Sequence, residues 1–174
     1  MRQTTVDGIT VAQLAVNQGF QVISRDTAFD SLTAPKRLLG TFDEETLEVQ
    51  WQGSDARVGE PAKLSWLSHI SEYFGSVTEP SPMSCEPNPN YQNTPRLAAM
   101  TNLALTHLAT DNGQGFFLMI ESASIDKQSH KRNPCGSIGE IAQLEESLAL
   151  VRSFASNQPE TAIIVTADHA QAAQ

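Results

Sequence analysis

The chain has 174 residues, a formal net charge of −9 and a hydrophobic content of 40%. That length suits about one domain able to bury a core of its own. The charge argues against non-specific binding to nucleic acid or an anionic membrane, although a bound cation could still reverse the field locally for an anionic substrate. No stretch approaches the roughly 20 apolar residues of a membrane span, and the opening "MRQTTVDGITVAQLAV" lacks the apolar core of a signal peptide.

In chain order, Val11, Leu14 and Ala15 make the apolar side of a short helix that stops at Gly19. "FQVIS", Phe20–Ser24, follows as a strand, so the opening reads as an α/β unit. Arg37–Phe42 and Leu47–Trp51 read as further strands joined by the acidic "DEET". From Gln52 to Asn93 the signals weaken. Leu64, Leu67 and Ile70 fall at helical spacing, which predicts a helix over Leu64–Phe74. "VTEPSPMSCEPNPNYQNTP", with five prolines, reads as irregular surface chain. No domain boundary is placed there; residues 52–93 are an irregular segment or insertion within one partial domain spanning 1–174.

After Pro95 the pattern sharpens. Arg96–Thr110 reads as a helix, "DNGQG" as a turn, and "FFLMIE", Phe116–Glu121, as a buried strand, continuously apolar as parallel strands tend to be. A loop over Ser122–Gly136 leads to a second helix, "SIGEIAQLEESLALVRSFASN". Ser137 and Glu140 stand at capping-box spacing, and Ile138, Ile141, Leu144, Leu148 and Val151 form its apolar face. "TAIIVTA", Thr161–Ala167, is a final buried strand. The alternation predicts an α/β fold: a mostly parallel sheet, right-handed in its crossovers, with flanking helices.

Both apolar strands end in ionisable residues, "IESASIDKQSH" and "VTADHA". Ligands of open parallel sheets sit outside the carboxyl ends of the strands. Neighbouring strands would therefore gather Glu121, Asp126, His130, Asp168 and His169 at one edge. Three carboxylates so placed repel one another unless a divalent cation holds them. Mixed oxygen and imidazole donors suit zinc, whereas an oxygen shell suits magnesium. Asp126 and His130, four apart, would face one ligand from a helical turn. Asp168 and His169 are adjacent and need a tight loop to do so. One pair for each of two metals is the natural division, with Glu121 available for a third, oxygen-only site. The plainer reading makes "DH" a surface pair or cap and "DKQSH" a solvated loop; it explains either cluster alone more easily than both together. His69 and His107 lie on expected helices apart from the two strand-end clusters and read as structural. Gly113, Gly115, Gly136 and Gly139 match no phosphate-cradling pattern. Cys85 and Cys135 are either two reduced thiols or one disulfide.

"GFFLMIESASIDKQSHKRNPCG" and "TAIIVTADHAQAAQ" closely resemble bacterial alkaline phosphatases, and the likeness extends back through "CEPNPNYQNTPRLAAMT" to "GITVAQLAVNQGFQVIS". "SWLSHISEYFG" fits least and looks like a local insertion. The resemblance implies a phosphate monoesterase with two zinc ions and one magnesium. Asp126 and His130 would then ligate one zinc, Asp168 and His169 the other, and Glu121 the magnesium, while Lys127 would meet the substrate phosphate, largely through water. It further implies a Cys85–Cys135 disulfide, a periplasmic or secreted location and a homodimer in the full-length form, with no nucleic-acid or membrane partner. Departures accompany the likeness. The family's nucleophilic serine, a carboxylate shared between metals and a phosphate-clamping arginine belong to an upstream segment this chain does not match; a further zinc-ligating histidine belongs downstream. Gln171 stands where relatives often carry a histidine beside the ligands. The expectation is an incomplete alkaline phosphatase-like domain, inactive alone. Two alternatives are a related phosphodiesterase, phosphomutase or sulfatase fragment, and a non-catalytic metal-binding module.

Overall fold

The computed structural model describes residues 8–29, 32, 37–110 and 112–170. They form two compact units, each discontinuous in sequence. One comprises the described residues up to Glu48 together with Pro89–Ser122 and Ile141–Ala167. The other comprises Val49–Asn88, Ala123–Glu140 and the described residues from Asp168.

In the first unit, helix α1 (Val11–Asn17) starts at a capping box. The Thr10 hydroxyl accepts from Gln13 N (3.2 Å), while Gln13 Oε1 accepts from Thr10 N (3.0 Å). Gly19, at φ +82°, supplies the left-handed turn that ends the helix. Strand β1 (Phe20–Ile23) pairs in parallel with β2 (Arg37–Gly40), with Ile23 opposite Gly40. Helix α2 (Leu97–Ala109) has no side-chain cap from its own Arg96. The cap comes from another helix: Gln143 Oε1 accepts from Leu97 N (3.1 Å) and from the Tyr91 hydroxyl (3.0 Å). One amide oxygen thereby satisfies an orphan donor of the helix start. Arg96 adds a two-oxygen ion pair to Glu146 at 2.5 and 2.6 Å. Thr101 and Leu105 are the buried residues of α2.

In the second unit, β3 (Trp51–Gly53) pairs antiparallel with β6 (Cys85–Pro87), placing Gly53 opposite Cys85. Cys85 is disulfide-bonded to Cys135, which lies in the first turn of α4 (Pro134–Ser156) and is buried. Glu140, on the next turn of α4, accepts from Gln50 N at 3.2 Å. Gly139 lies against Trp51, where an added Cβ would sit 3.0 Å from Trp51 Cβ and 3.1 Å from its backbone nitrogen. Gly139→Ala should therefore overpack the contact and lower stability by about 1–3 kcal/mol in denaturant unfolding. Strands β4 (Lys63–Leu64) and β5 (Val77–Thr78) form a short hairpin around a 3-10 turn at Trp66–His69. Helix α3 (Ser124–His130) precedes α4.

Several expectations need correction. Among the described residues β1–β2 is the only parallel pair, and a mostly parallel sheet is not shown. Phe116–Glu121 and Thr161–Ala167 form no strand, and Phe117 and Ile164 are 88% and 87% exposed. A continuously apolar strand is held only when both edges are paired and both faces covered; no described segment pairs with either run. Leu64–Phe74 is a hairpin and 3-10 turn, not a helix, because its serines bond to the backbone. Ser65 Oγ accepts from Ser76 N (2.9 Å) and Ser68 Oγ donates to Ser76 O (3.2 Å), an alternative to the helical ladder. The strand expected at Leu47–Trp51 starts only at Trp51. Asn88 takes the preceding carbonyls, its side-chain amide bonding Val49 O and its backbone N–H bonding Gln50 O, both at 2.9 Å.

The loop expected over Ser122–Gly136 contains α3 and the start of α4. Ser137 and Glu140 are not a capping box, since α4 begins earlier, at Pro134. Asn133 Oδ1 accepts from Gly136 N there (3.1 Å), with Pro134 in the first turn, where a missing N–H costs nothing. The expected apolar face of α4 is partly outward: Ile138 and Ile141 are each 50% exposed, while Ser137, Glu140, Gln143 and Ser147 are buried. Each of those four polar groups has a hydrogen-bond partner, which is what makes its burial tolerable.

Candidate metal centre

Four of the predicted ligands fall in one unit. Helical spacing on α3 brings Asp126 and His130 together, with His130 Nε2 3.4 Å from Asp126 Oδ1. Asp168 and His169 occupy a bend. There Asp168 Oδ1 accepts from His169 N at 3.0 Å, and the ring turns back so that His169 Nε2 lies 3.4 Å from Asp168 Oδ2. This bend is how two adjacent residues present side chains to one point. The two pairs also meet, with His169 Nε2 4.0 Å from Asp126 Oδ1.

The chemistry of the donors fits a cation. Asp126 Oδ1 is buried and accepts no hydrogen bond. A buried acceptor left unsatisfied costs about 1–3 kcal/mol, and a metal ion would remove that cost. The spacing within each pair fits as well. Two donors about 2.1 Å from a tetrahedral zinc lie about 3.4 Å apart, the separation seen within each pair. The separation between the pairs is longer, at 4.0 Å. His169 Nδ1 lies 3.2 Å from Ala170 O; a proton donated there leaves Nε2 with the lone pair that a metal requires. Among the described residues no group of three or more His, Cys, Asp or Glu side chains is placed to hold a metal ion.

Lys127, next to Asp126 on α3, is exposed. Glu121 belongs to the other unit, where it is exposed at the end of the Phe116–Ile120 run. Gln171 lies outside the described residues. Sequence reasoning missed Ser129 and Asn133 and took Ser137 for a helix cap, whereas the bonds of all three order α3 and the start of α4. The signal for Asn133 is present in "NPCG", an Asn–Pro helix start; nothing local marks Ser129.

The alkaline phosphatase family model matches residues 3–174. Alkaline phosphatase of Escherichia coli (strain K12) is 38% identical over 171 residues, covering 96% of this chain and 33% of that protein. Alkaline phosphatase H of Pseudomonas aeruginosa is 37% identical over 174 residues, with 96% and 32% coverage. Streptomycin-6-phosphate phosphatase of Streptomyces griseus is 34% identical over 184 residues, with 99% and 37% coverage. The chain thus spans about a third of the length of the curated relatives it matches. With the two Asp–His pairs embedded in a match that runs almost from end to end, the chain belongs to the alkaline phosphatase family.

Proposed function

We propose that the protein carrying this chain hydrolyses phosphate monoesters and that these residues form part of a site for two zinc ions and one magnesium. The observation that carries the reading is the buried Asp126 Oδ1, which accepts no hydrogen bond yet lies within 4.0 Å of two imidazole nitrogens. Asp126 and His130 hold one zinc, and Asp168 and His169 hold the other. The resemblance assigns the Glu121 carboxylate, which belongs to the other unit, to the magnesium. When bound, the ions supply concentrated positive charge that lowers the pKa of an attacking hydroxyl and steadies a leaving oxygen. The chain's own part is to fix the donors. Asp126 and His130 ride on one helix, so their spacing is held by backbone hydrogen bonds. The backbone N–H of His169 orients the Asp168 carboxylate. The Lys127 ammonium adds a mobile positive charge to attract the phosphate dianion. We infer a periplasmic or secreted, homodimeric full-length protein, in keeping with the resemblance and the disulfide.

Two donors per ion are fewer than a stable zinc site uses, so residues 1–174 alone should turn over no aryl phosphate. The full natural gene product, assayed at alkaline pH with zinc and magnesium, should cleave an aryl monoester in preference to the diester and the sulfate ester. A preference for diester or sulfate would move the protein elsewhere among metal-dependent esterases. Robust turnover by the 174 residues alone would contradict the incomplete-site reading.

A further inference from the structure

Helix α3 has seven residues, and its start at Ala123 has no side-chain cap. A helix so short is not stable by itself. Yet its pitch decides whether Asp126 and His130 face a common point, so something outside the helix must hold it. The hydrogen bonds converge on one carbonyl. Ser129 Oγ donates to Ile125 O at 2.9 Å, Ser137 Oγ of α4 lies 3.3 Å from the same oxygen, and the two hydroxyls are 3.2 Å apart. Both hydroxyls thus meet at one carbonyl. Ser129 takes the shorter bond to Ile125 O, and Ser137 donates either to Ser129 Oγ or to that carbonyl. Both serines are buried.

The placement is specific. Ile125 and Ser129 each immediately precede a ligand, Asp126 and His130, so locking the 125–129 turn locks the phase in which the ligands project. Ser137 is two residues past Cys135, whose disulfide ties the first turn of α4 to β6. The connection between the helices is equally determined: Asn133 N bonds Gln128 O and Asn133 Nδ2 bonds Gln128 Oε1, both at 2.9 Å. Arg132 is held at φ +54°.

We propose that Ser129 and Ser137 are positioning residues for the zinc site, setting the rotation of α3 against the disulfide-anchored start of α4. The proposal rests on the metal reading above. Neither serine touches substrate or metal; they act through the backbone of the ligand helix. Residues that orient metal ligands typically contribute 10–100-fold in affinity or activity.

The test uses the full natural gene product, with zinc affinity measured by chelator competition and ligand geometry by the d–d absorption of the cobalt-substituted protein. Ser129→Ala with Ser137→Ala should weaken zinc binding about tenfold or more and alter the cobalt spectrum, while KM for an aryl phosphate changes less than kcat. Ser137→Thr, which keeps the hydroxyl, should restore the parent values and guards against a mere folding defect. Parent-like affinity and spectrum in the double alanine variant would overturn the proposal. So would a loss that Ser137→Thr shares with a folded Ser137→Ala variant, since the hydroxyl would then be irrelevant. A parent protein that binds no zinc would instead remove the metal reading itself, and this proposal with it.

Discussion

Breaking the Cys85–Cys135 bond, by a reductant or by serine at both positions, should lower the unfolding free energy by about 4 kcal/mol, the chain-entropy value for a loop of this size. The bridge spans 50 residues. That loop contains α2, most of the proline-rich segment and all of α3, so the unfolded chain gains much freedom when it opens. The apolar burial available to compensate is slight. Among the described residues the buried hydrophobic side chains of the second unit are Val49 and Cys135 itself. Its strand pairs are three residues long at β3–β6 and two at β4–β5, and pairs that short do not persist alone. Equilibrium denaturation with and without reductant measures the effect. A change below about 1 kcal/mol would mean that the remaining contacts hold β6 to α4 without the bond.

Asp126→Asn should have the largest effect on metal binding. The amide keeps the shape and removes the charge. Asp126 Oδ1 is the atom shared between the pairs, 3.4 Å from one imidazole and 4.0 Å from the other. Losing it should raise the zinc dissociation constant by at least about a hundredfold, the upper end for groups that merely support a ligand. Turnover in the full natural gene product should fall at least as far. Stability should move the opposite way in the metal-free protein. The wild-type carboxylate oxygen is buried and accepts no hydrogen bond, a cost that the neutral amide eases. Apo Asp126→Asn should therefore be as stable as the apo parent or more so, while the zinc-loaded parent outranks both. Calorimetric zinc titration with thermal melts of both forms separates these outcomes. An apo variant markedly less stable than the apo parent would assign Asp126 a structural role instead.

What could be read from sequence follows the range of the interactions involved. Helices α1, α2 and α4 are local objects, announced by Val11, Leu14 and Ala15 before Gly19, by the run after Pro95 and by periodicity after Ser137. Their lengths were read to within a few residues. The acidic and imidazole residues stand out by their place after two apolar runs, and the four-residue spacing of Asp126 and His130 needs only one helical turn to bring those side chains together. Strands fared worse. Apolarity in Phe116–Ile120 and Thr161–Ala167 signals burial, but pairing depends on neighbours distant in sequence, and these runs have none among the described residues. Leu64–Phe74 carries helical spacing, yet its serines settle the matter through bonds that periodicity ignores. The outward Ile138 and Ile141 show the same limit: which face of α4 is buried was fixed by hydrogen bonds to Gln50, Tyr91 and Leu97, all far along the chain.

The central claim is that Asp126 with His130, and Asp168 with His169, each hold one ion of a neighbouring pair. Anomalous diffraction at the zinc absorption edge, from crystals of the full natural gene product grown with zinc, tests it most directly. The account predicts two peaks about 4 Å apart, one within coordinating distance of Asp126 and His130, the other of Asp168 and His169. A single peak, or zinc bound away from these four side chains, would contradict it.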